Sequence, residues 1–408
     1  MFTRLFLTIM VALFYASAFA QDISQLKHDA EYRNDSWSQN QLGIAYENGE
    51  GVKKDSKIAF SWFEKAANNG YSYAYYNLAR HYHYGLSVQV DFEKALYWYT
   101  KAASAHHALS CLVLGIWYQD GIHVTKNLYT AASYFKDAAF GGCTAGKHQY
   151  ALCYAYGYGV KQDSVRALIW ADRAIKDEYY YSYYLKGVMY RDGISVQKNP
   201  KSAFLNFLYG SDYEEPNCQN NLGICYLNGF GVDTDTTKAL SYFEKAANNG
   251  NMYGQRNLAY KYLQGIGVQQ NINQAIYWFE KAAEQDDEKS YNELISLYYK
   301  TENYNSLFRL VEKGSTLNFN SCLNTLAYCY AKGEGTTIDM KKAINTIDKA
   351  ISIFPNDINL YDSKGEILSI KGDKKGAKAM WDKINVLDPT YYNNYNSVLN
   401  QYILSNFK

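Results

Sequence analysis

Apolar, small and polar positions recur along this chain with a period of 36 residues. A valine marks the period seven times, with a tyrosine six residues before it and a glycine three residues before it. The valines are Val52, Val88, Val124, Val160, Val196, Val232 and Val268. A fixed period of about 20–50 residues is typical of a solenoid, in which each unit buries its apolar face against its neighbours.

The first half of each unit is predicted to be a helix, here called helix A. In the first unit it covers roughly Trp37 to Asn48, with Leu42 and Tyr46 on one face because they are four residues apart. Gly43 permits the close approach of a neighbouring helix. Gly49 follows the last turn, where the left-handed backbone that ends a helix favours glycine.

The second half of each unit is predicted to be another helix, helix B. Three residues after each valine stands Asp or Asn, whose side chains cap a helix by accepting hydrogen bonds from its first N–H groups. These residues are Asp55, Asp91, Asn127, Asp163, Asn199, Asp235 and Asn271. Because carboxylates and amides replace one another here, acid–base or metal chemistry is not expected at these positions.

Helix B also carries a band of aromatic side chains. In the first unit the band is Trp62 and Phe63, followed by Ala66 and Ala67, and large side chains facing small ones predict an interlocking core. The fifth unit departs from this pattern, with Asn206 at the first aromatic position.

These positions together resemble the Sel-1-like repeat, a relative of the tetratricopeptide repeat. The pattern L-G-x-x-Y-x-x-G-x-G-V-x-x-D-x-x-x-A-x-x-W-[FY]-x-K-A-A is matched from Leu42 to Ala67 and nearly as well from Leu222 to Ala247. The resemblance covers residues 36–286. It implies an all-α fold, a right-handed α-solenoid (superhelix) of antiparallel helix-pair repeats.

The period changes after residue 286. Tyr298 keeps the 36-residue step from Tyr262, but no G-x-G-V-x-x-D loop follows it, and Tyr330 lies four residues short of two periods. The predicted organisation is a signal peptide at 1–20, a polar lead-in at 21–35, seven 36-residue Sel-1-like repeats at 36–286, a shortened tetratricopeptide-like repeat at 287–318, a further Sel-1-like repeat at 319–355, a tetratricopeptide-like repeat at 356–389 and a C-terminal capping helix at 390–408.

The N-terminal residues indicate the compartment in which the protein works. Arg4 precedes an apolar run from Leu5 to Phe19 and an Ala18-Phe19-Ala20 exit, the pattern of a cleavable secretory signal. The run is shorter than the roughly 20 apolar residues of a membrane anchor. We therefore expect an exported monomer without a membrane span, periplasmic or extracellular, with the lumen of the endoplasmic reticulum as the alternative.

Charge and cysteine content narrow the function classes. Without Arg4 the chain has 40 basic and 40 acidic residues, which argues against nucleic acid as a partner. The seven cysteines are an odd number, and Cys218 and Cys225 are separated by roughly 10 Å along one predicted helix, too far to bridge. We favour buried apolar cysteines, and leave open one pairing, between Cys111 and Cys143.

Catalytic and metal-binding spacings are weak throughout. Ser24 to Lys27 fits S-x-x-K but lacks the companion motifs of that class. His81 and His83 are two residues apart, so they point in different directions on a helix and are poor joint ligands. The sequence therefore predicts a protein that is not an enzyme and needs no cofactor or metal.

In tetratricopeptide-like superhelices helix A lines the concave groove that holds ligands, and the resemblance implies the same here. Counting from the leucine position of each helix A places fourteen candidate groove residues. They are Trp37, Asn40, Tyr73, Tyr76, Arg80, His83, Tyr181, Tyr184, Arg191, Asn217, Asn220, Tyr253, Arg256 and Tyr260. Tyrosine with arginine is typical of interface hot spots. The alternative is ordinary enrichment in a chain with 43 tyrosines.

The leading hypothesis is a non-catalytic scaffold or adaptor that binds a protein or peptide. Proteins that resemble it act as adaptors, as regulators of envelope signalling or cell-wall enzymes, or in host interaction. One alternative is a hydrolase or β-lactam-binding protein, although the relatives linked to that activity carry a regular pair of cysteines in each repeat. Another is a lumenal adaptor of a eukaryotic secretory pathway.

Overall fold

The computed structural model of the chain describes residues 23–388, which are helical apart from short connections and contain no strand. Residues 23–32 form helix α1. The predicted signal peptide and the predicted C-terminal capping helix lie outside the described residues. None of the helices within 23–388 has the length and apolar character needed to cross a membrane.

Within residues 23–388, ten helix pairs follow α1, five in each of two compact units that divide after Tyr213. The first unit holds α2 (Ser36–Asn48), α3 (Ser56–Asn68), α4 (Ser72–Tyr84), α5 (Phe92–Ser104), α6 (Ala108–Asp120), α7 (Leu128–Phe140), α8 (Thr144–Tyr156), α9 (Ser164–Lys176), α10 (Tyr181–Asp192) and α11 (Pro200–Asp212). The second holds α12 (Pro216–Asn228), α13 (Thr236–Asn248), α14 (Met252–Gln264), α15 (Ile272–Ala283), α16 (Glu288–Lys300), α17 (Tyr304–Thr316), α18 (Asn320–Lys332), α19 (Met340–Ile353), α20 (Ile358–Lys371) and α21 (Lys374–Leu387). Even-numbered helices are the A helices and odd-numbered ones, from α3 onward, the B helices.

Helix α1 lies in the segment that the sequence showed only as a polar lead-in. Its Ala30 is buried in a cluster with Leu42 and Trp62, so it covers the apolar end of the first pair. Only Ile23 and Ala30 are buried in this helix. Two buried positions are too few to produce a visible period.

The predicted caps of helix B are confirmed. The Asp55 carboxylate accepts hydrogen bonds from the backbone N–H groups of Lys57 at 2.9 Å and Ile58 at 3.0 Å. The equivalent residues each accept from the third residue that follows, and they are Asp91, Asn127, Asp163, Asn199, Asp235 and Asn271. These side chains therefore satisfy N–H groups that the helix itself leaves unpaired.

The glycine predicted to end helix A is also confirmed. Gly49 has φ = 83°, in the left-handed region, and its N–H donates to the Ala45 carbonyl. A Cβ built on Gly49 would lie 3.2 Å from the Cβ of Lys54. The same conformation ends eight other described A helices, at Gly85, Gly121, Gly157, Gly193, Gly229, Gly265, Gly333 and Gly372.

A second glycine of helix A lies directly against an aromatic ring of helix B. A Cβ built on Gly43 would come within 2.5 Å of the Phe63 ring, which is fully buried. Gly115, Gly187 and Gly223 meet Phe135, Phe207 and Phe243 in the same way. This ring, eight residues after the cap, is the second ring position, and it fixes how closely the two helices of a pair approach.

The residue seven after the cap is the first ring position. It is aromatic in six of the described B helices and non-aromatic in α11, α17, α19 and α21. The residues are Trp62, Trp98, Tyr134, Trp170, Asn206, Tyr242, Trp278, Leu310, Thr346 and Met380. Helices α16 and α17 also have a shorter connection, Thr301 to Asn303, in place of the usual loop.

The seven cysteines are free thiols, including Cys111 and Cys143. Cys143 packs against the cluster that contains Cys111, and its Sγ accepts a hydrogen bond from the Gly146 N–H at the start of α8. Burial raises the pKa of the Cys111 thiol to about 11 and that of Cys153 to about 12.

Asp55→Ala should lower the free energy of unfolding by about 1 kcal/mol, because two N–H groups of α3 lose their acceptor. Urea unfolding followed by circular dichroism measures the loss. Glu64→Ala, at an exposed position of the same helix, is the control, with an expected change within about 0.5 kcal/mol. Equal effects of the two substitutions would contradict a capping role.

Gly49→Val should cost more than Asp55→Ala, because a β-branched residue is strained by about 1–2 kcal/mol in the left-handed region and its Cβ also crowds Lys54. Gly70 has the same φ of 83° with open space around it, so Gly70→Val isolates the backbone part of the cost. An unmoved melting curve for Gly49→Val would show that α2 does not need to end there.

Candidate functional site

Four apolar side chains on the A helices of the first unit remain exposed and occupy one repeat position. They lie five residues before the leucine position, and we call them the exposed strip. They are Trp37, Tyr73, Leu109 and Tyr181, with 52%, 56%, 45% and 40% of their surface exposed. Helix α8 has Ala145 at this position. In the second unit the same position holds Tyr253, 48% exposed.

Neighbouring rings support the exposed strip from one side. Tyr73 stacks on Tyr71 with ring centroids 5.6 Å apart and meets the edge of His107 at 5.0 Å. Tyr181 meets the edge of His148 at 5.1 Å. Tyr73 and Tyr181 therefore each pack against neighbouring rings while 56% and 40% of their surface stays exposed.

The predicted asparagines hydrogen-bond to the next repeat. The Asn77 side-chain amide donates to Asn40 Oδ1 at 2.9 Å, and the Asn257 amide donates to Asn220 Oδ1 at 2.8 Å. Asn40 and Asn220 are buried. Asn217 is half-buried and accepts from the Asn251 amide at 2.9 Å. These three candidates join neighbouring helix pairs, and the structure gives them partners within the chain.

Three predicted arginines and a predicted tyrosine also have acidic partners. Arg80 pairs with Glu47 at 3.3 Å, and Arg256 pairs with the buried Asp287 at 2.5 Å. The Tyr260 hydroxyl donates to Glu293 at 3.0 Å, and burial together with that carboxylate raises the Tyr260 pKa to about 12. Arg191 forms two hydrogen bonds with its neighbour Asp192.

Sequence reasoning missed these acidic partners because it compared each position only with its own copies. Glu47 precedes Arg80 by 33 residues, and Asp287 follows Arg256 by 31. Opposite charges separated by about one period are the signal that could have found them.

The remaining candidates, Tyr76, Tyr184 and His83, are half-buried among rings. Tyr76 lies 4.6 Å from the His107 ring and Tyr184 lies 6.4 Å from Phe207. His83 hydrogen-bonds the Tyr99 hydroxyl at 3.2 Å, and burial followed by the nearby His123 lowers its pKa. These three side chains contribute more to packing than to an open surface.

The candidate residues described above provide surfaces for contact with a partner. Within residues 23–388 no group of three or more His, Cys, Asp or Glu side chains is placed to hold a metal ion. The buried thiols with raised pKa values are protonated at neutral pH and are therefore weak nucleophiles. The exposed strip is the feature best suited to recognition.

His148 marks a buried polar contact beneath the strip. It lies on α8, and its Nδ1 is 2.9 Å from the Ser182 hydroxyl of α10. The rings of Tyr179 and Tyr181 lie 5.2 Å and 5.1 Å away. Burial lowers the His148 pKa to about 4.

Comparison with protein families places eight matches to the Sel1 repeat on the chain. They cover residues 38–71, 72–107, 108–139, 146–179, 181–209, 216–251, 253–287 and 321–345. These matches cover more than half of the chain, and they confirm the resemblance stated from the sequence. Comparison with the curated proteins gave no match.

Two solved structures have the same fold. A Sel1 repeat protein from Oxalobacter formigenes is 29% identical, with 69% of this chain and 81% of that chain aligned at a TM-score of 0.56. The protective antigen c5321 of uropathogenic Escherichia coli, described as having an SLR fold, is 24% identical, with 95% and 97% aligned at a TM-score of 0.51. The predicted all-α repeat solenoid is thereby confirmed.

Lowering the pH should destabilise the first unit through His148. Unfolded histidine has a pKa of about 6.5, so the unfolded chain binds a proton before the folded chain does. The stability is therefore complete above about pH 6.5 and falls towards pH 4, by roughly 2 kcal/mol between pH 7 and 5 from this residue.

His148→Gln should reduce that loss of stability, which urea unfolding at pH 7 and pH 5 would measure. Tyr129→Phe, at an exposed residue of the same unit, is the control and should leave the loss as it is in the parent protein. Identical pH dependence in all three proteins would show that His148 is not buried as described.

Proposed function

The chain belongs to the Sel1 repeat family, whose repeats generally mediate protein interactions, and we propose that it is an exported, non-catalytic scaffold that binds a protein or peptide along the exposed strip. Export is part of the proposal and rests on the apolar run from Leu5 to Phe19 with its Ala18-Phe19-Ala20 exit. We place the protein in the periplasm or outside the cell, where it would serve envelope signalling, cell-wall enzymes or host interaction.

The observation that carries this proposal is the repeated exposure of large apolar side chains at one position of the A helices. Trp37 and Tyr73 each leave half of their surface in water, although aromatic side chains gain most from burial. Aromatic anchors held by surrounding packing lose little conformational entropy on binding, which is why they dominate interface energetics.

The period of the array also suggests how a partner would lie. Packed helices are separated by about 8–10 Å, and an extended chain advances about 3.3 Å for each residue. Consecutive strip residues such as Trp37 and Tyr73 would therefore contact partner side chains roughly three residues apart. The polar contacts between repeats hold that spacing, because Asn40 and Asn77 tie α2 to α4.

The triple variant Trp37→Ala, Tyr73→Ala and Tyr181→Ala should lose the partner without unfolding, because it removes exposed rings and leaves the ion pairs of Arg80 and Arg256 intact. The measurement is crosslinking and recovery of the partner from the producing cell, followed by binding of the purified pair.

A matched control removes three rings from B helices of the same unit. Tyr97, Tyr129 and Phe140 are 58%, 77% and 67% exposed, so they are at least as accessible as the strip residues. The control variant should retain the partner. Retention by both variants, or equal loss by both, would rule out the strip as the binding surface.

A further inference from the structure

The first ring position of helix B has a defined set of neighbours where it is aromatic. In α5, Trp98 stacks on Tyr75 of α4 with ring centroids 5.6 Å apart and planes at 25°. The Lys101 ammonium lies 5.0 Å from the Trp98 ring and 4.6 Å from the Tyr75 ring. A tryptophan, a tyrosine of helix A and a lysine of helix B therefore form one stacked group.

Helix α17 keeps the neighbours and lacks the ring. Leu310 is at the first ring position, while Tyr291 of α16 and Lys313 of α17 are at the positions of Tyr75 and Lys101. Tyr298, the repeated tyrosine of helix A, is also present. These residues line a cavity of about 330 Å³.

The polar groups of this cavity are arranged for a ligand with a hydrogen-bond donor. Glu280 of α15 and Glu284, which follows that helix, also line it. Glu280 accepts a hydrogen bond from the Tyr298 hydroxyl. Tyr291 is fully buried, and its hydroxyl lies near the Lys313 ammonium. Burial raises the Tyr291 pKa, and the nearby Lys313 ammonium opposes that rise.

The fifth helix pair also has a cavity beside a first ring position that lacks an aromatic side chain. Helix α11 has Asn206 at the first ring position, and a cavity of about 350 Å³ lies beside it, lined by Tyr183 and Tyr190. Here the lysine is replaced by Tyr209, whose ring is 5.9 Å from Tyr183 and supplies part of the missing contact. Between α11 and α17, the helix that keeps both the tyrosine and the lysine is α17, beside Leu310.

We propose that the cavity at Leu310 binds an aromatic ring supplied by a ligand, an indole or a phenol, in the place that Trp98 takes in the second pair. A ring in this cavity would pack against Leu310 and lie beside the Lys313 cation, which favours aromatic faces. The buried Tyr291 and Tyr298 also line the cavity. An N–H or O–H on the ring would donate to a Glu280 or Glu284 carboxylate oxygen. The proposal is independent of the exposed strip.

Indole and N-acetyl-tryptophan amide, titrated into the full chain by calorimetry, test the proposal and distinguish two sources of the ring. Binding of the amide assigns the cavity to a tryptophan side chain of a partner polypeptide, and binding of indole alone assigns it to a free aromatic compound. N-acetyl-leucine amide, which has the same backbone without the ring, should not bind. Absence of saturable binding by both aromatic probes would overturn the proposal.

Two substitutions test whether the probes bind in this cavity. Leu310→Trp supplies the ring from the chain itself and should abolish saturable binding. Lys313→Ala, at a half-exposed side chain, keeps the cavity open and should weaken binding roughly two- to fivefold through the lost cation–π contact.

The control is Lys245→Ala in α13, where the equivalent lysine lies 5.1 Å from the Tyr242 ring that fills its own pair. It should leave probe binding unchanged. Circular dichroism and melting curves establish that each variant is folded. Unchanged binding by a folded Leu310→Trp variant, or equal weakening by the two lysine variants, would refute the assignment.

Discussion

The contact between Phe63 and the backbone of α2 at Gly43 is the constraint on which the first helix pair depends, and its copies do the same elsewhere. A methyl group at Gly43 would lie 2.5 Å from the Phe63 ring. The absence of a side chain at Gly43 therefore determines how closely α2 and α3 approach. That distance determines where the loop must turn, where Asp55 must cap, and which side chains of α2 remain at the surface. The residues that recur with the 36-residue period are therefore those that this close approach between two helices requires.

Once the pairs are fixed, hydrogen bonds between them position the functional surface. Asn40 with Asn77 and Arg80 with Glu47 lie between consecutive A helices, so the rings of the strip are carried on helices with little freedom to move apart. A buried amide pair is stable because each partner satisfies the other, and it is costly to break for the same reason. The polar residues that look most like ligand contacts in the sequence are therefore part of the scaffold that presents the rings.

The sequence predicted the fold well because the residues that define each helix pair act within their own repeat. The cap at Asp55 and the left-handed Gly49 each satisfy a local backbone requirement, and a local requirement repeats with the period. The assignment of the site residues stays a prediction, because a side chain such as Arg256 meets a partner from another repeat, Asp287, whose identity varies from copy to copy. Helix α1 was invisible for a related reason, since it occurs once and has no copy to compare with.

The hydrogen bonds between pairs also determine how the chain folds. Those between Asn40 and Asn77 and between Arg80 and Glu47 span 37 and 33 residues, about one repeat. Contacts of such short sequence separation have a low entropic cost of loop closure, so folding can begin in any adjacent pairs and spread outward. A change within one pair is then felt mainly by its immediate neighbours. The array can therefore lose a ring at Leu310, or four loop residues before α17, while distant pairs keep their stability.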